Sequence, residues 1–334
     1  MELNSVTPLP TGKKRSDFID YLKAIAIILV VVGHSLSYMI DKVDFVCSDL
    51  NTIQTLIYSV HVPLFFVVGG VLCHSQPFKK YLYKKINRLL IPFFFFSALK
   101  IIYVNVVNAS FAHALTLTGQ LYDAFVLGKL YWFPYVLFLC YMAAPLFWRL
   151  NRKVNALICL ACLLLSVIQA NFPALPGSGW FGILLLPKWL GFFLAGYVIA
   201  QNINLFIKWS KHATGLCAIA LTIIVLAFQI PDDGESIRTV RFFVFSFSEM
   251  VILGAGMYAI KEGCVILRLI AKYSLQIMFM DSFFKVVLFV VVMKAGLTLN
   301  ASVALILALV NLALCVIACR VLEKNRFTAR LVGL

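Results

Sequence analysis

Apolar residues along this chain come in blocks of about 20, the length an α-helix needs to cross a ~30 Å hydrocarbon core. Polar residues collect between the blocks, which lie near 18–40, 52–74, 88–107, 130–148, 154–172, 182–201, 213–230, 240–259, 269–293 and 299–319. The pattern predicts an all-α fold: a polytopic integral membrane helix bundle of about ten transmembrane helices embedded in a lipid bilayer. No stretch is left over that is long enough for a sizeable soluble domain. Residues 1–17 read as an N-terminal tail, 18–320 as the transmembrane domain and 321–334 as a C-terminal tail. Composition agrees with the pattern. Of 334 residues, 62% are hydrophobic and 13% charged, whereas soluble domains are about half apolar and a quarter charged.

A net charge of +15 in a soluble protein would point to nucleic acid, but here its distribution follows the loops. With the N-terminus cytoplasmic, one side collects Lys13, Lys14, Arg15, Lys79, Lys80, Lys84, Lys85, Arg88, Arg149, Arg152, Lys153, Lys208, Lys211, Lys261, Arg268, Lys272, Arg320, Lys324, Arg326 and Arg330, about 20 of the 29 Lys and Arg. The other side receives Lys42, Lys129, Arg238, Arg241 and Lys294. Such a bias orients membrane proteins. It predicts both termini in the cytoplasm and no nucleic-acid partner.

The nine cysteines sit mostly inside apolar blocks. Cys159 and Cys162 form a C-x-x-C on a hydrophobic helix without metal-type ligands nearby, so they read as packing residues. No metal and no permanently bound cofactor is predicted. The first block is too long and too poorly flanked for a cleaved signal peptide, so it should persist as a mature helix.

Ionisable side chains inside a bilayer are costly and mark candidate function. The first block holds Asp20, Lys23 and His34, and later ones hold His61, Lys100, Lys188, Glu249, Asp281 and Lys285. Lys23 and His34 are 11 residues apart, about three helical turns, so they share a stripe with a rise of ~16.5 Å between them. They cannot touch. Asp20 is placed to pair with Lys23 at i,i+3, and any group that fixes the tautomer of His34 must come from another helix. In "HVPLFFVVGG", His61 on the antiparallel second helix reaches roughly the depth of His34, and Pro63 predicts a kink or break beside it.

"KKYLYKKINRLLIP" places Lys79, Lys80, Lys84, Lys85 and Arg88 on the same face as Lys23. Arginine suits bidentate phosphate contact and lysine serves as a point charge. The features describe a slot with a basic cytoplasmic mouth and a histidine deeper in the membrane. Acyl-coenzyme A has the matching shape: phosphates at Lys23, Lys85 and Arg88, and the thioester near His34.

These residues resemble membrane acyltransferase family 3, which includes bacterial O-antigen, capsule and exopolysaccharide O-acetyltransferases. "DYLKAIAIILVVVGHS" resembles the first-helix signature, an Asp, a basic residue, ten residues and a histidine, carried by Asp20, Lys23 and His34. "HVPLFFVVGGVL", "KKINRLLIPFF" and "YWFPYVLFLCYM" resemble the helices that follow, and the length and layout match over nearly the whole chain. Two positions depart from the pattern: Lys23 where many relatives have arginine, and Asp281 in "KYSLQIMFMDSFF" where many have histidine. The resemblance implies an essential His34 in a multi-pass protein of the bacterial cytoplasmic (inner) membrane.

The activity it implies is O-acetyl transfer from cytoplasmic acetyl-CoA, as co-substrate, to a carbohydrate acceptor of the cell envelope. His34 then acts as general base or forms an acyl-histidine, and His61 is the nearest candidate donor to the oxyanion. Glu249 and Asp281 are candidates to orient His34, and an internal ion pair with Lys285 is the plainer use of Asp281. Trp132 is a candidate to line a sugar or pantetheine path, with aromatic packing as its alternative. The rival class is an exporter of a nascent polysaccharide or lipid-linked glycan. A structural subunit is the third.

Overall fold

The computed structural model describes residues 17–43, 48–107, 116–172, 184–201, 212–231, 233–260 and 263–334. Among these the chain is helical with no strand: α1 (Asp17–Val43), α2 (Ser48–Val71), α3 (Phe78–Lys85), α4 (Ile91–Val107), α5 (Leu117–Leu121), α6 (Trp132–Phe147), α7 (Arg152–Gln169), α8 (Leu186–Ala200), α9 (Ala213–Phe228), α10 (Glu235–Ala259), α11 (Val265–Lys272), α12 (Ser274–Lys294), α13 (Ala301–Glu323) and α14 (Arg326–Leu331). A π-helical turn, Ile86–Leu90, joins α3 to α4. Each apolar block of the sequence overlaps one of these helices, except the block at 269–293, which takes in the end of α11 and most of α12. Among the described residues, seven helical stretches are long and apolar enough to cross a membrane, and α6, α8 and α9 are shorter apolar helices. Lys13, Lys14, Arg15, Lys208, Lys211 and Lys261 lie outside the described residues.

Burial follows what a bilayer requires. Leu164 in α7, Ile219 in α9 and Leu309 in α13 are each more than half exposed; a lipid-facing surface accommodates such side chains, and water would not favour so many of them. The interior holds two aromatic-rich cores. One joins α1, α4, α12 and α13 around Ile27, Phe96, Phe279 and Cys315, with Phe96 stacked on Phe279 at 4.9 Å. The other joins α2, α6 and α8 around Phe66, Tyr141, Phe193 and Trp189.

Pro63 does not break α2, which runs continuously from Ser48 to Val71. A proline lacks the N–H that would bond the carbonyl four residues back, here that of Ser59. Ser246 of α10 donates its hydroxyl to that carbonyl at 2.5 Å, so a neighbouring helix supplies the missing donor. Pro145 frees the Tyr141 carbonyl in the same way, and the Tyr81 hydroxyl of α3 donates to it at 2.9 Å. Both backbone gaps thus become interhelical joints.

The α2–α8 seam depends on glycine. A Cβ at Gly70 would lie 1.8 Å from the Phe193 carbonyl oxygen, and one at Gly196 would lie 1.9 Å from that of Val67. Both obstacles are backbone, so the helices must separate to admit even a methyl group. Gly70→Ala and Gly196→Ala are each expected to destabilise the fold by about 3 kcal/mol or more, read as a lowered midpoint in thermal unfolding of the detergent-purified chain. Gly215→Ala, with nothing near the added atom, is the neutral control.

Residues 321–334 carry more structure than a tail. Gln276 of α12 donates to the Val332 carbonyl at 2.9 Å, Val332 is buried, and Gly333 packs against Pro92 and the Arg88 carbonyl at the π-helical turn.

Candidate active site

His34 lies two-thirds of the way along α1, and its Nδ1 is 2.8 Å from Oδ2 of Asp281 in α12. Asp281 is 1% exposed. Its other carboxylate oxygen accepts from Asn311 Nδ2 of α13 at 2.8 Å, and that amide also donates to the Asp281 main-chain carbonyl at 3.2 Å. Lys285, one turn further along α12, sits 3.8 Å from Oδ2 and 3.5 Å from the His34 carbonyl oxygen. Lys100 of α4 reaches the neighbouring residue, donating to Ser282 Oγ at 2.5 Å. A buried carboxylate is therefore matched by an amide, an imidazole and nearby ammonium groups, as burial of a charge demands.

This arrangement decides the proton positions. An ionised carboxylate only accepts, so a neutral His34 carries its proton on Nδ1 and keeps the lone pair on Nε2. The His34 side chain is 35% exposed against 1% for the Asp281 side chain. The ring is partly exposed and its orienting partner is buried. That is the arrangement of a positioned general base.

His61 faces this group from α2, with its ring 6.4 Å from that of His34 and 4.9 Å from that of Tyr58. Gly33 permits the approach: a Cβ there would come within 2.8 Å of Ile57 and 3.3 Å of the Tyr58 ring. His61 Nδ1 lies 2.6 Å from the Ile57 carbonyl oxygen. A carbonyl also only accepts, so the neutral His61 ring presents an acceptor at Nε2. The oxyanion donor expected of His61 would need a protonated ring, and Lys285 and Lys100 are the cations the bundle brings to this region.

Toward the other end of α1, Lys23 pairs with Asp20 at 2.7 Å, the i,i+3 pairing that the sequence spacing predicts. Lys85 ends α3 and lies 3.3 Å from the Tyr141 ring centroid, a cation–π contact steadied by the bond from Tyr81 to the Tyr141 carbonyl. Arg88 sits on the π-helical turn and is exposed. Turns of this kind interrupt the regular ladder and often occur where a side chain is redirected.

The family model described as an acyltransferase domain, that of acyltransferase family 3, matches residues 16–320. The chain belongs to this family. It is also similar to Nodulation protein NolL of Sinorhizobium fredii (strain NBRC 101917 / NGR234), with 27% identity over 193 residues, covering 55% of this chain and 49% of that protein. The chain thus spans about half the length of the curated relative it matches. No solved structure matches. The acyltransferase domain and the apolar helices together make this a multi-pass membrane protein of an acyltransferase family.

Within that acyltransferase domain, the candidate residues divide into groups. His34, Asp281 and Lys285 meet, with His61 alongside. Glu249, a candidate to orient His34, instead accepts from Ser59 Oγ at 2.6 Å in the α2–α10 seam; α10 packs behind α2, on the side where Ser59 and Ser246 meet. Trp132 packs against Trp189 at 5.1 Å and Phe133 at 6.3 Å. Sequence reasoning missed Asn311 and Ser282. Asn311 was detectable as the one amide within the apolar run of α13, "LVNLAL". Ser282 carries no such signal.

Proposed function

We propose that this acyltransferase moves an acetyl group from cytoplasmic acetyl-CoA to a hydroxyl of a cell-envelope carbohydrate, across the bacterial inner membrane, with both termini in the cytoplasm. The observation that carries the reading is the His34–Asp281 pair, with a partly exposed His34 ring, in a chain whose family is an acyltransferase family. Nε2 removes the acceptor hydroxyl proton as the oxygen attacks the thioester carbonyl. The tetrahedral oxyanion collapses, the C–S bond breaks, and the coenzyme A thiolate takes the proton back from His34. Asp281 holds the ring and stabilises its cationic form, a contribution of about 10²–10⁴ in rate for such a base. Lys285 and Lys100 are the groups proposed to favour the developing negative charge. An acyl-histidine route uses the same Nε2 as nucleophile.

The basic end supports a phosphate-binding role for Lys23, Lys85 and Arg88. Lys85→Met is expected to raise the KM for acetyl-CoA about tenfold or more with kcat nearly unchanged, because a phosphate contact is made equally in ground and transition states. Steady-state kinetics on membranes checks this. An equal fall in kcat and kcat/KM would instead place Lys85 in the chemical step.

The reading as a whole is tested by following label from acetyl-CoA into envelope polysaccharide, in membranes with and without the chain. Label that depends on the chain supports acetyl transfer. No label, together with glycan export that does depend on the chain, would replace it with an exporter.

A further inference from the structure

Beyond His34, toward the end of α1 opposite Lys23, the polar character of the helix does not stop. His34, Ser37 and Asp41 recur at i, i+3 and i+7, so they form one stripe that rises ~10.5 Å from the histidine to the end of the helix. Polar groups in a membrane segment are costly and line up in this way where they meet polar partners or a ligand. The opposite face of the same turns is the packed one: Leu36 and Met39 are buried and join Ala304 and Leu307 of α13. The polar stripe therefore faces away from that core.

Two helices flank the stripe. α1 packs against α2 and against α12, and each contributes polar groups at the depth of the stripe. From α2, Gln54 Nε2 donates to Ser37 Oγ at 3.1 Å. Tyr58, one turn further along, sets its ring 6.4 Å from that of His34 and brings its hydroxyl to Ser37. From α12, Lys285 lies 3.5 Å from the His34 carbonyl oxygen and within electrostatic reach of Asp41. The floor and one wall are open: Tyr58 is 36% exposed, close to the figure for the His34 side chain, and Asp41 is exposed. The result is a polar groove with the catalytic pair at its inner end.

Its lining selects a class of ligand. Hydroxyl, amide and phenol groups donate as well as accept, and a carboxylate accepts, so together they match the hydroxyls of a sugar. Lys285 offsets the Asp281 carboxylate 3.8 Å away, whereas Asp41 places a negative charge at the far end, where it disfavours an anion. We propose that His34, Ser37, Asp41, Gln54, Tyr58 and Lys285 line the acceptor subsite, and that it takes a neutral, hydroxyl-rich oligosaccharide. The sugar enters past Asp41 and presents one hydroxyl to His34. This subsite rests on the acetyl-transfer reading for its link to catalysis, and it adds the residues that hold the acceptor and the charge class they accept. Ser37, Gln54 and Asp41 are binding residues in this scheme.

Binding measured apart from turnover tests this. The full-length chain in lipid nanodiscs is titrated, by microscale thermophoresis, with maltotriose, with trigalacturonate and with the methyl ester of trigalacturonate. Wild type is expected to bind at least one of the two neutral probes about tenfold or more tighter than the acidic one. Ser37→Ala and Gln54→Leu should each weaken that binding about tenfold at an unchanged melting midpoint. Asp41→Asn, at an exposed position, should tighten trigalacturonate binding about fivefold. In transfer assays Ser37→Ala and Gln54→Leu should raise the KM for envelope glycan and leave the KM for acetyl-CoA at its wild-type value. Acidic binding as tight as neutral, or no binding of either neutral probe, overturns the proposal. So do Ser37→Ala and Gln54→Leu chains that bind the neutral probes as wild type does. If both of these melt early, Asp41→Asn decides: a narrowed preference supports the subsite and an unchanged one overturns it. A chain that binds the neutral probes in this way but transfers no acetyl sinks the functional reading alone. One that transfers acetyl with a glycan KM that neither variant moves sinks the subsite alone.

Discussion

Asp281→Asn is expected to lower the rate of acetyl transfer by about 10²–10⁴-fold. An asparagine at this position offers His34 either an acceptor or a donor, so the imidazole is no longer held with its proton on Nδ1 and its lone pair on Nε2. The change also leaves Lys285 without the carboxylate 3.8 Å away. Breaking a buried pair from one side costs about 3–5 kcal/mol, so lost activity alone would not separate catalysis from folding. Asp281→Asn combined with Lys285→Met removes both charges. The double variant should recover most of the lost thermal stability while its transfer rate stays low. If rate returns together with stability, Asp281 is an internal ion-pair residue only.

His34→Asn is expected to have an effect of similar or greater size on rate with little effect on stability. The asparagine amide stands near the position of Nδ1 and keeps a donor for Asp281, but no atom replaces Nε2. Because Asp281 also retains Asn311 at 2.8 Å, the buried carboxylate stays satisfied. The expected result is a chain that inserts and melts normally and does not transfer. A melting midpoint well below wild type would mean that the ring, rather than its lone pair, is what the bundle needs.

Much of the helical architecture was legible because long apolar blocks leave the backbone one solution in lipid, the helix. The sequence spacing between Asp20 and Lys23 gave their ion pair, since helical geometry fixes i,i+3 neighbours wherever the helix lies. It also showed that the partner of His34 must come from elsewhere, without saying which of Glu249 and Asp281 supplies it. That choice depends on which helix packs against which face of α1, a long-range property without periodic signal. Pro63 illustrates another limit. The missing hydrogen bond was predictable, but its replacement by Ser246, 187 residues from Ser59, was not, so an expected kink became a joint within a continuous helix. His61 was legible as a neighbour of His34, while its role turns on a single carbonyl, that of Ile57.

The most direct measurement is the initial rate of acetyl transfer from labelled acetyl-CoA to envelope glycan by the purified chain in proteoliposomes, wild type against His34→Asn at equal folded protein. The account predicts a wild-type rate at least about a hundredfold above the variant, with the melting midpoints close together. Equal rates from two equally folded proteins would contradict it, because transfer would then proceed without the base that Asp281 orients.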